Sequence, residues 1–153
     1  MPEGATSGWG GRLGDLFVSG NGNSTFTCVN VSGNAVYLTG NTAFQYQIST
    51  SGAVALRGTS AALFGSNAAS AALKSLVTQA RSNLLEDGYN RVMQRALDAQ
   101  AAVSANLVPA TSIATAFPTG NSLADQLKLV ARMIASAGAL GAKRQVFFVS
   151  IGG

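Results

Sequence analysis

The sequence predicts an α/β protein, and three observations carry the prediction. Residues 1–67 alternate short apolar runs with Gly-Asn and Ser-Gly pairs, and residues 68–140 repeat apolar side chains at helical spacing. Close to the end, Val146-Phe147-Phe148-Val149 sets four bulky apolar residues in succession. An unbroken apolar run marks a strand covered on both faces, as in a mainly parallel sheet. A helix feeding such a strand through a short loop is half of a β-α-β unit.

Taken in order, residues 9–17 (WGGRLGDLF) read as a short helix with Leu13, Leu16 and Phe17 on one side, although glycines weaken it. Gly20-Asn21, Gly22-Asn23, Gly33-Asn34, Gly40-Asn41 and Ser51-Gly52 mark turns, because Gly and Asn tolerate positive φ. Between them, residues 25–31, 35–39, 43–48 and 53–57 have strand character. Residues 68–82 then predict a helix with Ala72, Leu73, Leu76, Val77 and Ala80 on one stripe.

A second helix over 84–107 carries Leu85, Tyr89, Val92, Ala96, Ala99 and Val103, with Asp87/Arg91 and Arg95/Asp98 as pairs on its outer face. A loop with Pro109 and Pro118 leads to a third helix. There Ser122 and Asp125 form a near capping box, Leu123, Leu127, Val130 and Ile134 make the buried stripe, and Gly138 or Gly141 ends the helix. Residues 144–151 complete the reading as a central parallel strand. It needs neighbours on both edges, and the polar, turn-rich strands of the first half are poor candidates for them. The expected organisation is one incomplete α/β domain over 1–153, an interior fragment of a longer protein.

The inventory of reactive groups is small. The 153 residues hold no histidine, one cysteine and six scattered carboxylates. That excludes a His-based triad, a zinc site of ordinary His/Cys ligation and an internal disulfide. Cys28 has no basic neighbour to activate a thiolate and reads as a small buried apolar group. Adjacent Glu86 and Asp87 point about 100° apart on a helix, so they read as solvated surface and not as a carboxylate pair. A free-standing enzyme would be left with Ser, Lys and Tyr chemistry, and no Ser-x-x-Lys arrangement is present.

The net charge is +4, but the cations are dispersed, Arg91/Arg95 and Lys143/Arg144 being the densest pairs. Neither a cationic stripe nor interleaved aromatics are present, which argues against nucleic acid as a partner. Met1-Pro2-Glu3-Gly4 shows no basic run leading into an apolar stretch, and no apolar run is long enough for a bilayer span.

Four segments carry a resemblance. They are Gly8-Trp9-Gly10-Gly11-Arg12-Leu13, Val31-Ser32-Gly33-Asn34-Ala35-Val36-Tyr37-Leu38-Thr39-Gly40, residues 123–134 (LADQLKLVARMI) and residues 144–153 (RQVFFVSIGG). In order and spacing they resemble the middle of a bacterial group, domain-of-unknown-function family 1501. The resemblance implies a partial alkaline-phosphatase/sulfatase-like domain and export by the twin-arginine pathway, hence a periplasmic or extracellular setting. It also implies a divalent metal in the full-length protein. The Asp and His that the family places beyond the equivalent of Gly153 are absent here, so the chain alone is expected to hold no metal and no catalytic residue.

Candidate binding residues follow from chemistry and position. Arg12, with Trp9, suits an anionic phosphate or sulfate, because a guanidinium offers a bidentate fork. The alternatives are a packed Trp and an Arg paired with Asp15 or capping a turn. Ser150, Gly152 and Gly153 lie past the carboxyl end of the last strand, where open α/β sheets bind ligands, or serve close packing there. The competing reading of the whole chain is a surface-associated structural or binding module without catalysis.

Overall fold

A computed structural model describes residues 6–33, 36–59 and 61–151. In chain order its elements are α1 (Trp9–Val18), β1 (Cys28–Asn30), β2 (Gln45–Gln47), α2 (Asn67–Thr78), α3 (Leu84–Asn106), α4 (Ser122–Ala135) and β3 (Val146–Phe148). Single 3-10 turns occupy Ser24–Phe26, Val36–Leu38 and Ala110–Ser112. The chain divides into two compact units, Met1–Gly52 with Ala105–Gly153, and Ala53–Ser104.

The first unit holds a three-stranded parallel sheet in the order β2-β1-β3, so the protein is α/β. Cys28 stands opposite Gln45 and Val146, and Asn30 opposite Gln47 and Phe148. The central strand of these three is β1, and β3 lies beside it at an edge. The expectation of β3 at the centre is corrected on that point, as is the dismissal of the first-half strands as its neighbours.

The physical reason lies in how β1 hides its polarity. Thr27, Cys28, Val29 and Asn30 are all fully buried, whereas Val146, Phe147 and Phe148 are only half-buried. A buried polar group is tolerable when hydrogen-bonded. Thr27 Oγ1 accepts from Asn21 Nδ2 at 2.8 Å, and Asn30 Oδ1 accepts from Ser32 N at 3.1 Å. A strand polar by letter is thus a core strand by partners.

Helix α1 meets this strand through its glycines. A Cβ at Gly14 would overlap Cys28 Sγ, one at Gly11 the backbone of Thr39, and one at Gly10 the Tyr37 ring. Gly8 N donates to Thr39 O at 2.8 Å, tying the helix start to the same segment. The glycines cost helix propensity but let backbone approach backbone. The inward face is therefore Gly10, Gly11 and Gly14, while Leu16, expected inside, is 74% exposed.

Two predicted strands are replaced by other structure. Within 35–39, Val36–Leu38 form a 3-10 turn closed by Thr39 N donating to Val36 O, and Ala35 lies outside the described residues. The turn drops Leu38 into the core with Cys28 and Ala43 and keeps Thr39 within reach of Gly8. Residues 53–57 form no strand, and Val54 is exposed.

α4 begins one residue earlier in its capping than expected. Asn121 is the N-cap, its Oδ1 accepting from Leu123 N and Ala124 N at 3.0 and 3.1 Å, and Ser122 is the first helical residue. Asp125 sits in the first turn, where the helix dipole favours a carboxylate. The inward face carries Ala124, Gln126, Leu129 and Met133, while Leu127 and Ile134 of the expected stripe are exposed. The helix is apolar around more than half its girth, so periodicity alone selects the bulkier row.

In the second unit the predicted helices form, but of their stripes only Ala99 and Val103, toward the end of α3, are buried. α2 has no buried residue, and Leu76, Leu85, Tyr89 and Val92 are exposed. Polar contacts join α2 to α3: Asn90 Nδ2 donates to Gln79 O at 2.6 Å, and Asp87 Oδ1 accepts from Arg81 N at 3.2 Å. The Asp87–Arg91 pair forms at 2.7 Å, and Asp98 accepts from Gln94 Nε2.

Two alanine substitutions separate the glycine roles. Gly11→Ala must force α1 off Thr39 and is expected to cost about 1–3 kcal/mol by overpacking. Gly88→Ala, inside α3 with nothing within 4 Å of its Cβ position, is expected to stabilise by about 0.5–1 kcal/mol. Urea unfolding of both variants beside wild type measures the difference.

Candidate functional site

The order β2-β1-β3 changes direction at β1: the chain moves from β1 to one side for β2 and returns to the other side for β3. In open α/β sheets such a reversal leaves a crevice beyond the carboxyl ends of the strands, and ligands bind there. The candidate site is therefore the rim formed by Asn30 to Ser32 after β1 and Phe148 to Ser150 after β3. These two ends are joined by Val31 N donating to Phe148 O at 3.0 Å.

Side-chain amides hold the rim. Asn30 uses its carbonyl oxygen on Ser32 N and donates its Nδ2 to Gln45 Oε1 at 3.3 Å. Gln126 of α4 grips the backbone of Ser150 from both sides, Nε2 donating to Ser150 O at 2.8 Å and Oε1 accepting from Ser150 N at 3.0 Å. Among the described residues no buried side-chain polar atom lacks a partner. An aromatic row crosses the rim: Trp9 rests on Tyr37 at 6.0 Å between centroids, and Tyr37 on Phe148 at 5.5 Å.

The sequence-predicted residues fall as follows. Trp9 is the first residue of α1, 67% exposed, and Tyr37 links it to the end of β3. Arg12 is exposed and its Nε donates to Ser7 Oγ at 3.2 Å. Ser150 is exposed, with its backbone clamped by Gln126. Gly152 and Gly153 lie outside the described residues. The structure thus links Trp9 to the strand end that Ser150 follows, whereas the contact it gives the Arg12 side chain is to Ser7. Sequence reasoning missed Tyr37, Asn30 and Gln126. For Gln126 a signal existed: a carboxamide in line with Ala124, Leu129 and Met133 is a polar residue at a core position, which requires a specific partner.

Asp15 has a different task from pairing with Arg12. Its carboxylate accepts from Asn41 N, Thr42 N and Ala43 N at 2.7–2.8 Å and from Thr42 Oγ1 at 2.9 Å. These donors, the Asn41 amide foremost, hold its carboxyl well below the usual aspartate value. Cys28 is buried against α1, and burial pushes its thiol up to about 11, leaving it a neutral core group as expected.

The rim's chemistry is that of neutral amides, hydroxyls and aromatic faces. Such groups orient an oxygen-rich ligand by hydrogen bonds but do not fit a divalent metal, which hydrolases hold by carboxylate and imidazole. Among the described residues no three His, Cys, Asp or Glu side chains come together. A cavity of about 320 Å³ in the same unit is lined by Thr50, Ser51, Asp125, Lys128 and Arg132. No helix among the described residues is long and apolar enough to cross a membrane. No family model, curated protein or solved structure matches the chain.

The Asp15 clasp sets a pH dependence of stability. Its folded pKa is depressed, so the unfolded chain binds the extra proton and the clasp's contribution is complete above the ordinary value of 3.8. It is lost as pH falls below that value toward the folded pKa. Asp15→Asn lacks this titration, so its stability is expected to fall less steeply than wild type below about pH 4. Urea midpoints taken from pH 6 downward test this, and parallel curves for the two proteins would refute it.

Proposed function

We propose that this chain is a framework portion of an exported, hydrolase-like protein of the kind found in domain-of-unknown-function family 1501, and that alone it is inactive. The reaction proposed for the whole protein is hydrolysis of a phosphate or sulfate ester with a divalent metal supplied by residues other than these. Its setting is periplasmic or extracellular, and the partner of this chain is the remainder of its own domain.

One observation carries the reading: a parallel sheet with a reversal at β1 whose rim, among the described residues, is built from the neutral groups of Asn30, Ser32, Gln126 and Ser150. A strand-end crevice is where such an enzyme binds its substrate, and the described groups there are of the kind that orient a ligand by hydrogen bonds. The half-buried β3 and the exposed Leu127 and Ile134 on α4 give further support, since they offer apolar surface for additional structure. The family analogy supplies the reaction class, and the half-buried β3 supports the proposed division of labour.

The test is hydrolysis of aryl phosphate and aryl sulfate with added zinc, manganese or calcium. The purified 153-residue chain is expected to turn over neither ester, while a product of the reading frame extended in both directions hydrolyses one of them. Turnover by the chain itself overturns the reading. Ordered homo-oligomers of the chain, with no activity in the extended product, would favour the surface-module alternative.

A further inference from the structure

Asn21-Gly22 is the one Asn-Gly step in the sequence, and the Asn21 carboxamide is the clamp that fastens the lead-in of β3. Its Oδ1 accepts from Lys143 N at 2.7 Å and Arg144 N at 3.0 Å. Its Nδ2 donates to Thr27 Oγ1 at 2.8 Å and Arg144 O at 2.9 Å. One side chain therefore joins the connection after α1, the start of β1 and the two residues that lead into β3. Just beyond, Val146 N donates to Thr27 O at 2.7 Å and opens the β1–β3 ladder.

We propose that Asn21-Gly22 is a deamidation site whose hydrolysis unfastens β3 from β1. Glycine after asparagine leaves the following amide nitrogen unhindered, because no Cβ blocks its approach. In the reaction the Gly22 nitrogen attacks Asn21 Cγ, forming an N–C bond. The Cγ–Nδ2 bond breaks, and the NH2 group leaves with the Gly22 amide proton as ammonia. Water then opens the five-membered imide at either carbonyl, giving aspartyl or isoaspartyl at position 21.

The product cannot rebuild the clamp. A carboxylate has no hydrogen to donate, so the bond to the Arg144 carbonyl is lost, and the one to Thr27 survives only if the hydroxyl turns to donate. The oxygen that replaces Nδ2 faces the Arg144 carbonyl, acceptor against acceptor. The isoaspartyl product also lengthens the backbone at this point. While the clamp is closed, four hydrogen bonds hold the carboxamide, so attack on Cγ has to break them and the folded chain protects the site it depends on. This inference is independent of the proposed hydrolase role.

The control is built into the fold. A Cβ at Gly22 would meet Gly141 O at 3.4 Å, an ordinary contact, and Gly22 has no positive φ, so Gly22→Ala retains the structure while hindering imide formation. Wild type and Gly22→Ala are incubated at alkaline pH, folded and in urea, and peptide mass spectrometry follows aspartyl and isoaspartyl at position 21. Deamidation is expected to be at least about tenfold slower in the folded wild type than in urea, because reaction needs local opening. In urea, Gly22→Ala is expected to be slower than wild type by at least about tenfold, since its Cβ hinders the nitrogen.

Hydrogen exchange is then compared between the deamidated and intact fractions of the folded wild-type sample. Loss of protection at the Lys143, Arg144 and Val146 amides of the deamidated fraction is the expected result. Equal rates in folded and unfolded chain, or unchanged protection at those amides after deamidation, would overturn the proposal.

Discussion

Burial of β1 is the constraint on which the first unit rests. The strand is paired on both edges and closed to water from Phe26 through Asn30. Two buried side chains in that stretch, Thr27 just before the strand and Asn30 at its end, are polar, and leaving either unpaired would cost about 1–3 kcal/mol. Asn21 answers Thr27, and Ser32 and Gln45 answer Asn30. On one side the glycine face of α1 comes down to Cys28, an approach that any larger residue at position 14 would prevent.

The same device recurs around the sheet. A side chain of the amide or carboxylate type satisfies backbone groups that no strand or helix would serve. Asp15 gathers the amides of residues 41–43, Asn21 those of 143 and 144, Gln126 both backbone groups of Ser150, and Asn121 the first amides of α4. With three-residue strands the ladder alone offers few hydrogen bonds. These clasps fix the loops that the strands are too short to fix.

How much was legible follows from which forces leave a local trace. Helix existence did: the positions of α1, α2, α3 and α4 are written in periodicity and caps, and α3 matches its predicted span at the first residue. The faces did not. In α4 the row Leu123, Leu127, Val130 and Ile134 is as periodic as the buried one, and only tertiary packing chooses between them. Strand rank was likewise hidden, because Thr-Cys-Val-Asn looks less central than Val-Phe-Phe-Val until the partners of Thr27 and Asn30 are known. For the candidate site, residue type and strand-end position single out Trp9 and Ser150, and the structure places Trp9 on Tyr37 and Ser150 just past β3. Gln126 and Tyr37 depend on contacts across more than twenty or one hundred residues, respectively, and no local pattern encodes such pairs.

The distribution of apolar surface connects fold to function. Full burial of a Phe or Val contributes roughly 1.5–3 kcal/mol, and β3 realises only part of that for Val146, Phe147 and Phe148. On α4, Leu127 forgoes a large part of its own and Ile134 more than half. The chain thus packs β1 most tightly and leaves β3, its most apolar strand, half-buried beside the rim. The rim groups on that side, Ser150 and Gln126, are neutral. Gln126 there satisfies both backbone groups of Ser150, so the strand end is fixed by hydrogen bonds more than by apolar burial.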